Sequence, residues 1–200
     1  MRDDCQCIIM AKAPVLGHVK TRLTPCYSHT EALVWHKKMC CAVIAQVKAL
    51  FKHTVLATDD VGHAFWQNFD LTLMDQGTGD LGQRLTHVVR QQSIAAWRPL
   101  LFIGTDSPHM PATRLLAAAD ALQDHDVVIG PVEDGGYNLI GMAMPISGLF
   151  LHTDWGTSNV CAQTIKRAEA CSIAMLDMHY DIDTPEDLQR LLKSANPIIK

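Results

Sequence analysis

Short apolar runs alternate with longer amphipathic segments along the first two thirds of the chain. The runs have the length and composition of buried strands and lie at residues 5–11, 54–58, 71–74, 100–104 and 127–130. Helical spacing between them predicts helices at residues 28–50, 61–69, 81–97 and 112–123. Because strands that alternate with helices are typical of a parallel sheet flanked by helices, the pattern predicts an α/β fold.

The remaining third of the chain has a less regular pattern. It predicts an extended segment at residues 137–144, a helix at 159–170, a strand at 172–176 and a closing helix at 185–194. Capping residues mark two helix starts, because Ser28 stands three residues before Glu31 and Thr184 stands before Pro185. In the first helix, five apolar residues are predicted to share one buried face: Leu33, Val34, Val43, Ile44 and Val47.

Length and composition indicate one ordinary globular domain that spans residues 1–200. The formal charge of −4 provides no general attraction to nucleic acid or to an anionic membrane, so an anionic ligand must meet a local cluster of cations. No signal-peptide pattern occurs, and no apolar run approaches the ~18 residues that span a bilayer. The seven cysteines include no C-x-x-C pair. We therefore expect a cytoplasmic protein with no nucleic-acid partner, no membrane span and no disulfide framework.

The stretches that follow the predicted strands carry most of the candidate chemistry. In open α/β sheets, ligands bind beyond the carboxyl ends of the strands. Four such stretches carry charged residues, at positions 12–23, 75–82, 105–108 and 131–137, and all but 105–108 also contain glycine. We expect them to surround one ligand-binding cleft.

The first stretch is basic and predicts a phosphate-binding loop. Lys12, Lys20 and Arg22 can donate charge-assisted hydrogen bonds to phosphate oxygens, and Gly17 permits close approach of the backbone. The spacing matches neither a Walker loop nor a G-x-G-x-x-G turn. A solvated basic surface loop is the alternative. The predicted nucleotide-binding residues begin at Ala11, where the first strand ends.

The second stretch contains three glycines next to a predicted helix start. Gly79 and Gly82 could bring backbone groups against a base or ribose, and Asp80 is a plausible N-cap. A purely structural turn is the alternative. The hypothesis for this stretch is that Gly79 and Gly82 bind the nucleotide.

The third stretch places a carboxylate at the end of a predicted central strand. Asp106 follows Thr105 and can bind the Mg2+ (or Mn2+) that bridges nucleotide phosphates, with Thr105 among the nucleotide-binding residues. Magnesium usually takes one or two protein carboxylates, and Asp183 would supply the second. The alternatives are a turn cap for Asp106 and helix N-terminal electrostatics for Asp183.

The fourth stretch predicts an acceptor-binding loop. Gly135 and Gly136 allow a sharp turn, and Asp134 could bind or deprotonate an acceptor hydroxyl. Tyr137 completes the predicted substrate-binding group. A simple Asp-Gly hairpin turn is the alternative.

Five motifs in order resemble the nucleotide-diphospho-sugar transferase superfamily. They are A-K-A-P-x-x-G-x-V-K-T-R-L, G-D-L-G-x-R, G-T-D-S-P, G-P-x-x-D-G-G-Y-x-L-I-G and D-I-D-T-P-E-D-L. More narrowly, they look like a largely uncharacterised bacterial family whose members are usually labelled glycosyltransferases, some by association with arsenosugar biosynthesis. That family is similar to 2-phospho-L-lactate guanylyltransferase. The resemblance implies a glycosyltransferase-A fold, which is a Rossmann-like three-layer sandwich with a mostly parallel mixed sheet.

The resemblance also implies site roles. It implies phosphate contacts for the basic loop, metal ligation by Asp106 and Asp183, and an acceptor-side segment that includes Trp155 and Thr157. Glycosyltransferases of this fold usually carry a D-x-D motif, whereas here Ser107 and Pro108 follow Asp106.

Two enzymatic reactions and one binding role fit these patterns. The first is glycosyl transfer from a nucleotide-sugar donor to a small-molecule acceptor, with Lys20, Arg22, Asp106 and Asp134 as the predicted catalytic residues. The second is nucleotidyl transfer, in which a phosphorylated substrate attacks a nucleoside triphosphate and pyrophosphate leaves. The third is a nucleotide-binding module without activity, which the two intact metal-side carboxylates disfavour. The basic loop and the single carboxylate of Asp106 favour nucleotidyl transfer, whereas the family resemblance favours glycosyl transfer. Following the resemblance, we expect a metal-dependent transferase with a nucleotide-activated donor, most simply a nucleotide-sugar.

Overall fold

A seven-stranded sheet with helices on both faces forms the body of the protein. The computed structural model describes residues 1–92 and 97–194. The strands are β1 (Arg2–Ala11), β2 (Phe51–Thr58), β3 (Thr72–Asp75), β4 (Leu100–Gly104), β5 (Val127–Pro131), β6 (Tyr137–Met142) and β7 (Ile173–Met175). The helices are α1 (His29–Leu50), α2 (Leu81–Arg90), α3 (Ala112–Ala121), α4 (Val160–Arg167) and α5 (Pro185–Lys193). Two short 3-10 helices span Thr21–Leu23 and Ala64–Asn68.

The strand order across the sheet is β3-β2-β1-β4-β6-β5-β7. Strand β6 runs antiparallel to both of its neighbours, and the other pairings are parallel. The register places Ala11 opposite Thr58 and Met10 opposite Gly104. The carboxyl ends of β1, β2 and β4 therefore stand side by side, with the start of β6 at the same edge. The predicted mixed, mostly parallel sheet is confirmed.

Two apolar layers cover the faces of the sheet. One layer packs Cys7 and Ile9 of β1 against α1 and α3. The other packs Ile8 of β1 against α2 and the segment around Phe150. Alternation along a strand sends successive side chains to opposite faces, so a continuous apolar run such as β1 supplies both layers. The three-layer sandwich follows directly from this pattern.

Helix α1 begins as the sequence predicts, but its first turns bury other residues than predicted. The Ser28 and Glu31 side chains each accept a hydrogen bond from the other residue's backbone N–H, which completes the capping box. Val43, Ile44 and Val47 are buried, whereas Val34 is 48% exposed. The buried stripe of the first turns passes instead through Ala32, His36 and Met39. The prediction for Val34 is wrong because it lies to one side of that stripe.

Two other predicted helices differ in type or length. The segment predicted at 61–69 forms the 3-10 helix Ala64–Asn68, which begins after His63. The helix predicted at 81–97 ends at Arg90, and residues 93–96 lie outside the described residues. Trp97 lies beyond the helix, where its indole N–H donates to the Ala143 carbonyl at 2.7 Å. Within the described ranges, no helix has the length and apolar character needed to cross a membrane.

The α1 capping box yields a stability prediction. Ser28→Ala removes the oxygen that accepts the Glu31 N–H at 3.2 Å, and we expect it to lower the free energy of unfolding by ~1 kcal/mol. Chemical denaturation measures the change. Thr30→Ala is the matched control, since Thr30 is exposed within the same turn and its replacement should change stability by less than ~0.5 kcal/mol. Equal losses for the two variants would contradict the capping role.

Candidate functional site

A cleft of about 610 Å³ lies over the carboxyl ends of β1 and β4. Residues from all four stretches that follow the predicted strands contribute to its wall. The sequence-predicted site residues that line it are Ala11, Lys12, Lys20, Arg22, Gly79, Thr105, Asp106, Tyr137 and Asp183. The alignment of strand ends explains this convergence, because each stretch leaves the sheet at the same edge.

The Lys20 ammonium lies between two carboxylates of the cleft. Its Nζ is 2.7 Å from Asp106 Oδ1 and 3.0 Å from Asp183 Oδ1, and it donates to the Ile182 carbonyl at 2.6 Å. The Lys20 side chain is only 4% exposed. Burial alone favours the neutral amine, but the two carboxylates outweigh it and raise the pKa of Lys20. Lys20 is therefore a fixed positive charge at the centre of the site.

Apolar packing brings the Lys20 loop to the C-terminal segment. Lys20 has a left-handed backbone, with φ of 48°, immediately before the 3-10 helix Thr21–Leu23. Leu23 is fully buried against Ile182 and Leu188, and the Ile182 N–H donates to the Asp106 carbonyl at 2.8 Å. Three segments far apart in sequence thus meet at one point. Left-handed backbone in a non-glycine residue is uncommon and persists where surrounding contacts impose it.

Arg22 adds a second cation at the mouth of the cleft. Its Nη1 lies 3.2 Å from Asp183 Oδ2, while its side chain remains 69% exposed. Such an exposed ion pair contributes little to stability, typically ~0–1 kcal/mol. The Arg22 guanidinium is therefore free to move toward an anionic ligand.

The base of the basic loop is held by residues of β2 and α1. The Ala13 N–H donates to Asp59 Oδ1 at 2.7 Å, directly after β2. His36 Nε2 lies 2.9 Å from the Lys12 carbonyl oxygen, which calls for a hydrogen on that nitrogen. Burial lowers the pKa of His36, so a neutral ring fits this role. The exposed Lys12 donates to the His18 carbonyl at 3.0 Å and closes the loop on itself.

A second polar cluster occupies the β2–β3 side of the cleft. Gln76 Nε2 donates to the carbonyls of Ala11 and Ala57, at 3.0 and 3.4 Å. Arg84 Nη1 donates to Gln76 Oε1 at 3.2 Å, and Arg84 Nε donates to the Gly79 carbonyl at 3.0 Å. Gln76 therefore links two strand ends to α2. It fixes the Arg84 guanidinium against the cleft.

Asp181, Ser107 and Asn138 form a third polar group beside the carboxylate pair. The Ser107 hydroxyl contacts Asp181 Oδ1 and lies 3.0 Å from the Tyr180 carbonyl, while Asn138 Nδ2 donates to Ser107 Oγ at 2.8 Å. Burial raises the pKa of Asp181 to about 7, and the nearby negative charges of Asp106 and Asp183 add to this shift. Asp181 and Asn138 both line the cleft.

Two glycines predicted to bind the nucleotide do not line the cleft. Gly82 is buried, and a Cβ there would overlap the Phe150 carbonyl oxygen and crowd the Trp155 indole. Its lack of a side chain serves the packing of α2 rather than contact with a ligand. Gly17 has a φ of +78° and open space around it, so it provides a turn in the basic loop.

The predicted acceptor loop is a hairpin turn between β5 and β6. Asp134 Oδ1 accepts the Gly136 N–H at 2.9 Å, and none of Asp134, Gly135 and Gly136 lines the cleft. A Cβ on Gly135, whose φ is +89°, would overlap the backbone of Ser158. In this arrangement Asp134 has a structural role in the turn. The paired glycines permit a tight turn against the start of α4.

The other two acceptor-side residues also lie outside the cleft lining. The Trp155 ring packs edge-on against Tyr137, with centroids 6.3 Å apart, so it supports a cleft residue from behind. The Thr157 hydroxyl donates to the Asp154 carbonyl at 2.8 Å in an exposed turn. Tyr137 is the member of the predicted substrate-binding group that reaches the cleft.

Sequence reasoning assigned no role to several side chains that the cleft contains. They are His36, Gln76, Arg84, Asn138 and Asp181. Gln76 and Arg84 flank the second glycine-rich stretch, and Asp181 begins the acidic motif that contains Asp183, so position beside a motif was the available signal. His36 lies within α1, and only three-dimensional packing reveals its contact with Lys12.

The carboxylate pair is the part of the site suited to a divalent cation. Across residues 1–92 and 97–194, no group of three or more His, Cys, Asp or Glu side chains is arranged to hold a metal ion. Asp106 and Asp183 present two hard oxygen ligands to one point. That donor set fits Mg2+, which commonly takes one or two carboxylates and completes its shell with phosphate oxygens and water.

A family model and several solved structures match the chain. The family, DUF2064, is described as 'uncharacterized protein conserved in bacteria'. Its model matches residues 40–157, which is more than half of the sequence. Among curated proteins, none matches. A structure from Desulfovibrio desulfuricans G20, described as a candidate nucleotide-diphospho-sugar transferase, is 23% identical with a TM-score of 0.90 and covers 98% of this chain and 89% of that one.

Two nucleotidyl-transferring enzymes also share the fold. A 4-diphosphocytidyl-2C-methyl-D-erythritol synthase from Anaerococcus prevotii DSM 20548 has a TM-score of 0.61 at 13% identity, over 93% of this chain and 95% of that one. A CMP:2-keto-3-deoxy-manno-octonic acid synthetase in complex with CTP has a TM-score of 0.62 at 11% identity, over 94% and 96%. These matches confirm the predicted fold.

The hairpin turn leads to a prediction with a matched control. In Gly135→Ala the new side chain would be held in the left-handed backbone region, and its Cβ would overlap the backbone of Ser158. We therefore expect this change to lower the free energy of unfolding by about 3 kcal/mol. Gly17→Ala carries similar backbone strain but meets open space, and should cost only ~1 kcal/mol. Denaturant titration measures both. Similar losses for the two variants would show that Gly135 has no close-packing role.

Proposed function

We propose a function from the geometry of the cleft, because the family to which the chain belongs is described only as uncharacterized proteins conserved in bacteria. We propose a metal-dependent transferase that acts on a nucleotide-activated donor, most simply a nucleotide-sugar. One observation carries this proposal: the Lys20 ammonium and the carboxylates of Asp106 and Asp183 meet in the cleft at the carboxyl edge of the sheet.

The phosphates of the donor would lie at the basic side of this cleft. Arg22 is exposed, so its guanidinium can pair with a phosphate, and Lys12 also lines the cleft. Asp106 and Asp183 would hold Mg2+ or Mn2+. That ion supplies neutralisation of the charge that develops on the leaving phosphate oxygens. The chain itself would bring its basic side chains and its ion-binding carboxylates next to the same phosphates.

The nucleoside would lie on the β2–β3 side, next to Gly79 and Arg84. Arg84 is fixed by Gln76 and Gly79 through its Nη1 and Nε atoms. A guanidinium has five N–H donors, so further N–H groups remain to contact an acceptor atom of the nucleotide. This assignment places the nucleoside and the carboxylate pair on opposite sides of the end of β1.

Sugar transfer is the first of two reactions that fit. The acceptor hydroxyl oxygen attacks the anomeric carbon, the bond from that carbon to the phosphate oxygen breaks, and the nucleoside diphosphate leaves; the hydroxyl proton passes to a base or to water. The name of the Desulfovibrio desulfuricans structure and the motif resemblance support this reaction. Tyr137 and Asn138 would form the acceptor side of the cleft.

Nucleotidyl transfer is the second candidate, and a specific observation favours it. Asp134, the predicted base, lies in a hairpin turn and does not line the cleft. A phosphorylated acceptor is already ionised and requires no base to attack the α-phosphorus of a nucleoside triphosphate, from which pyrophosphate leaves. The names of the two nucleotidyl-transferring enzymes that share the fold support this reaction.

Product analysis distinguishes the two reactions. The protein is incubated with Mg2+ and either nucleotide-sugars or nucleoside triphosphates, each with a panel of sugar, polyol and sugar-phosphate acceptors. Release of a nucleoside diphosphate from a nucleotide-sugar is the expected result. If pyrophosphate is instead released from a triphosphate only when an acceptor is present, the reaction is nucleotidyl transfer and not sugar transfer.

Arginine substitutions test the placement of the nucleotide. We expect Arg22→Ala and Arg84→Ala each to weaken nucleotide binding by ~1–3 kcal/mol, since each would remove a charge-assisted hydrogen bond. Isothermal titration with the nucleotide that gives the largest thermal shift measures the effect. Arg90→Ala is the control, because Arg90 is exposed at the far end of α2 and outside the cleft lining. Unchanged affinity in Arg22→Ala or Arg84→Ala would remove that residue from the nucleotide site.

Substitution of the carboxylates tests the metal site. Asp106→Asn should abolish the increase in nucleotide affinity that Mg2+ produces, because an amide oxygen lacks the charge that the ion requires. Asp134→Asn should leave that increase intact, since Asp134 lies in the β5–β6 turn. Titration of each variant with nucleotide, with and without Mg2+, gives the comparison. A persistent Mg2+ effect in Asp106→Asn would place the ion elsewhere.

A further inference from the structure

Three oxygen atoms of the protein surround the Lys20 ammonium. An ammonium has three N–H donors, and three oxygens lie within hydrogen-bonding distance of Nζ: Asp106 Oδ1 at 2.7 Å, Asp183 Oδ1 at 3.0 Å and the Ile182 carbonyl at 2.6 Å. Nζ donates hydrogen bonds to Ile182 and Asp183 and forms an ion pair with Asp106, so in this arrangement the ammonium is bound to the protein rather than available to a phosphate. The two carboxylates, in turn, already share this cation.

We propose that Lys20 is the resident cation of the Asp106–Asp183 pair, and that the pair exchanges it for a divalent ion only when a nucleotide phosphate draws Lys20 away. Lys20 then has two successive positioning roles. Before the nucleotide arrives, its ammonium holds the two carboxylates together. Afterwards it pairs with phosphate. This inference rests on the proposed metal-dependent function and specifies the order in which the site fills.

Local charge supports an exchange rather than simple addition of an ion. With Lys20 in place, the two carboxylates are matched by Lys20 and Arg22, so a divalent ion would add uncompensated positive charge to a partly buried site. Donor phosphates bring negative charge, which offsets both the incoming ion and the released ammonium. The phosphate charge therefore makes occupation by the ion favourable.

The loop geometry allows the ammonium to move without unfolding the loop. Leu23 is fully buried and the Ala13 N–H is bound by Asp59, so the backbone on both sides of Lys20 is anchored. The lysine side chain has a flexible four-carbon stem, so rotation about its own bonds can redirect Nζ. The exchange requires a change of side-chain torsions alone.

Binding of Mn2+ alone, followed by electron paramagnetic resonance, tests the inference without catalysis. Lys20→Met removes the resident cation while it keeps an unbranched stem of similar length. We expect Lys20→Met to bind Mn2+ at least tenfold more tightly than the wild type in the absence of nucleotide. Lys12→Met is the matched control, because Lys12 belongs to the same loop but donates to His18, and its Mn2+ affinity should equal that of the wild type.

The outcomes separate this inference from the proposed function. Equal Mn2+ affinity in Lys20→Met and the wild type would overturn the exchange, even if nucleotide binding still depends on metal. If neither protein bound Mn2+ with or without a nucleotide, the metal-dependent function itself would be wrong. Equal tightening in Lys12→Met and Lys20→Met would reduce the effect to general loop charge and would also reject the exchange.

A measurement on the wild type covers the case in which Lys20→Met does not fold. Nitrogen-15 spectra of labelled lysine ammonium groups report the environment of Lys20 Nζ, with Lys20→Arg used to assign its signal. We expect the signal to stay unchanged with Mg2+ alone and to shift when Mg2+ and inorganic pyrophosphate are added together. A full shift with Mg2+ alone would show that the carboxylates release Lys20 without a phosphate, which contradicts the proposal.

Discussion

The ammonium of Lys20 is the contact on which the geometry of the site depends. It joins the loop after β1 to Asp106 after β4 and to Asp183, which lies 163 residues later in the sequence. Without that cation, two carboxylates would face each other in a partly buried space and repel. Removal of one member of a buried charge cluster is costly because the remaining charges lose their partners. The positions of Asp106 and Asp183 are therefore tied to this one side chain.

The sheet provides the frame that makes such a contact reachable. Parallel pairing of β1 with β2 and β4 aligns their carboxyl ends, so that the basic loop and Asp106 leave the sheet as neighbours. Antiparallel β6 then returns the chain to the same edge, which brings Tyr137 and Asn138 to the cleft. The closing segment is held there by apolar packing of Ile182 against Leu23. Hydrophobic burial thus sets the positions between which the charges interact.

Hydrophobic patterning predicted most of the architecture because burial follows a simple period along each element. The strand predicted at 100–104 has the bounds of β4, and those predicted at 5–11 and 54–58 match the ends of β1 and β2. Glycine was less informative: Gly82 and Gly135 resembled ligand-binding residues, yet each makes room for another part of the protein. A missing side chain permits close approach of any backbone or ligand, and one sequence contains no signal that distinguishes the two.

The same limit applies to side-chain pairing. Charge and position identified Lys20, Asp106 and Asp183 as site residues, but the ion pairs among them depend on packing of distant segments. They also leave the reaction open in a physically defined way, since cations and carboxylates around a diphosphate stabilise a leaving nucleotide and a leaving pyrophosphate alike. What separates the reactions is the acceptor, which would be either a hydroxyl that must lose a proton or a phosphate that is already charged. Under the proposed function, Tyr137 and Asn138 form the acceptor side of the cleft, so these residues rather than the basic loop would determine which bond breaks.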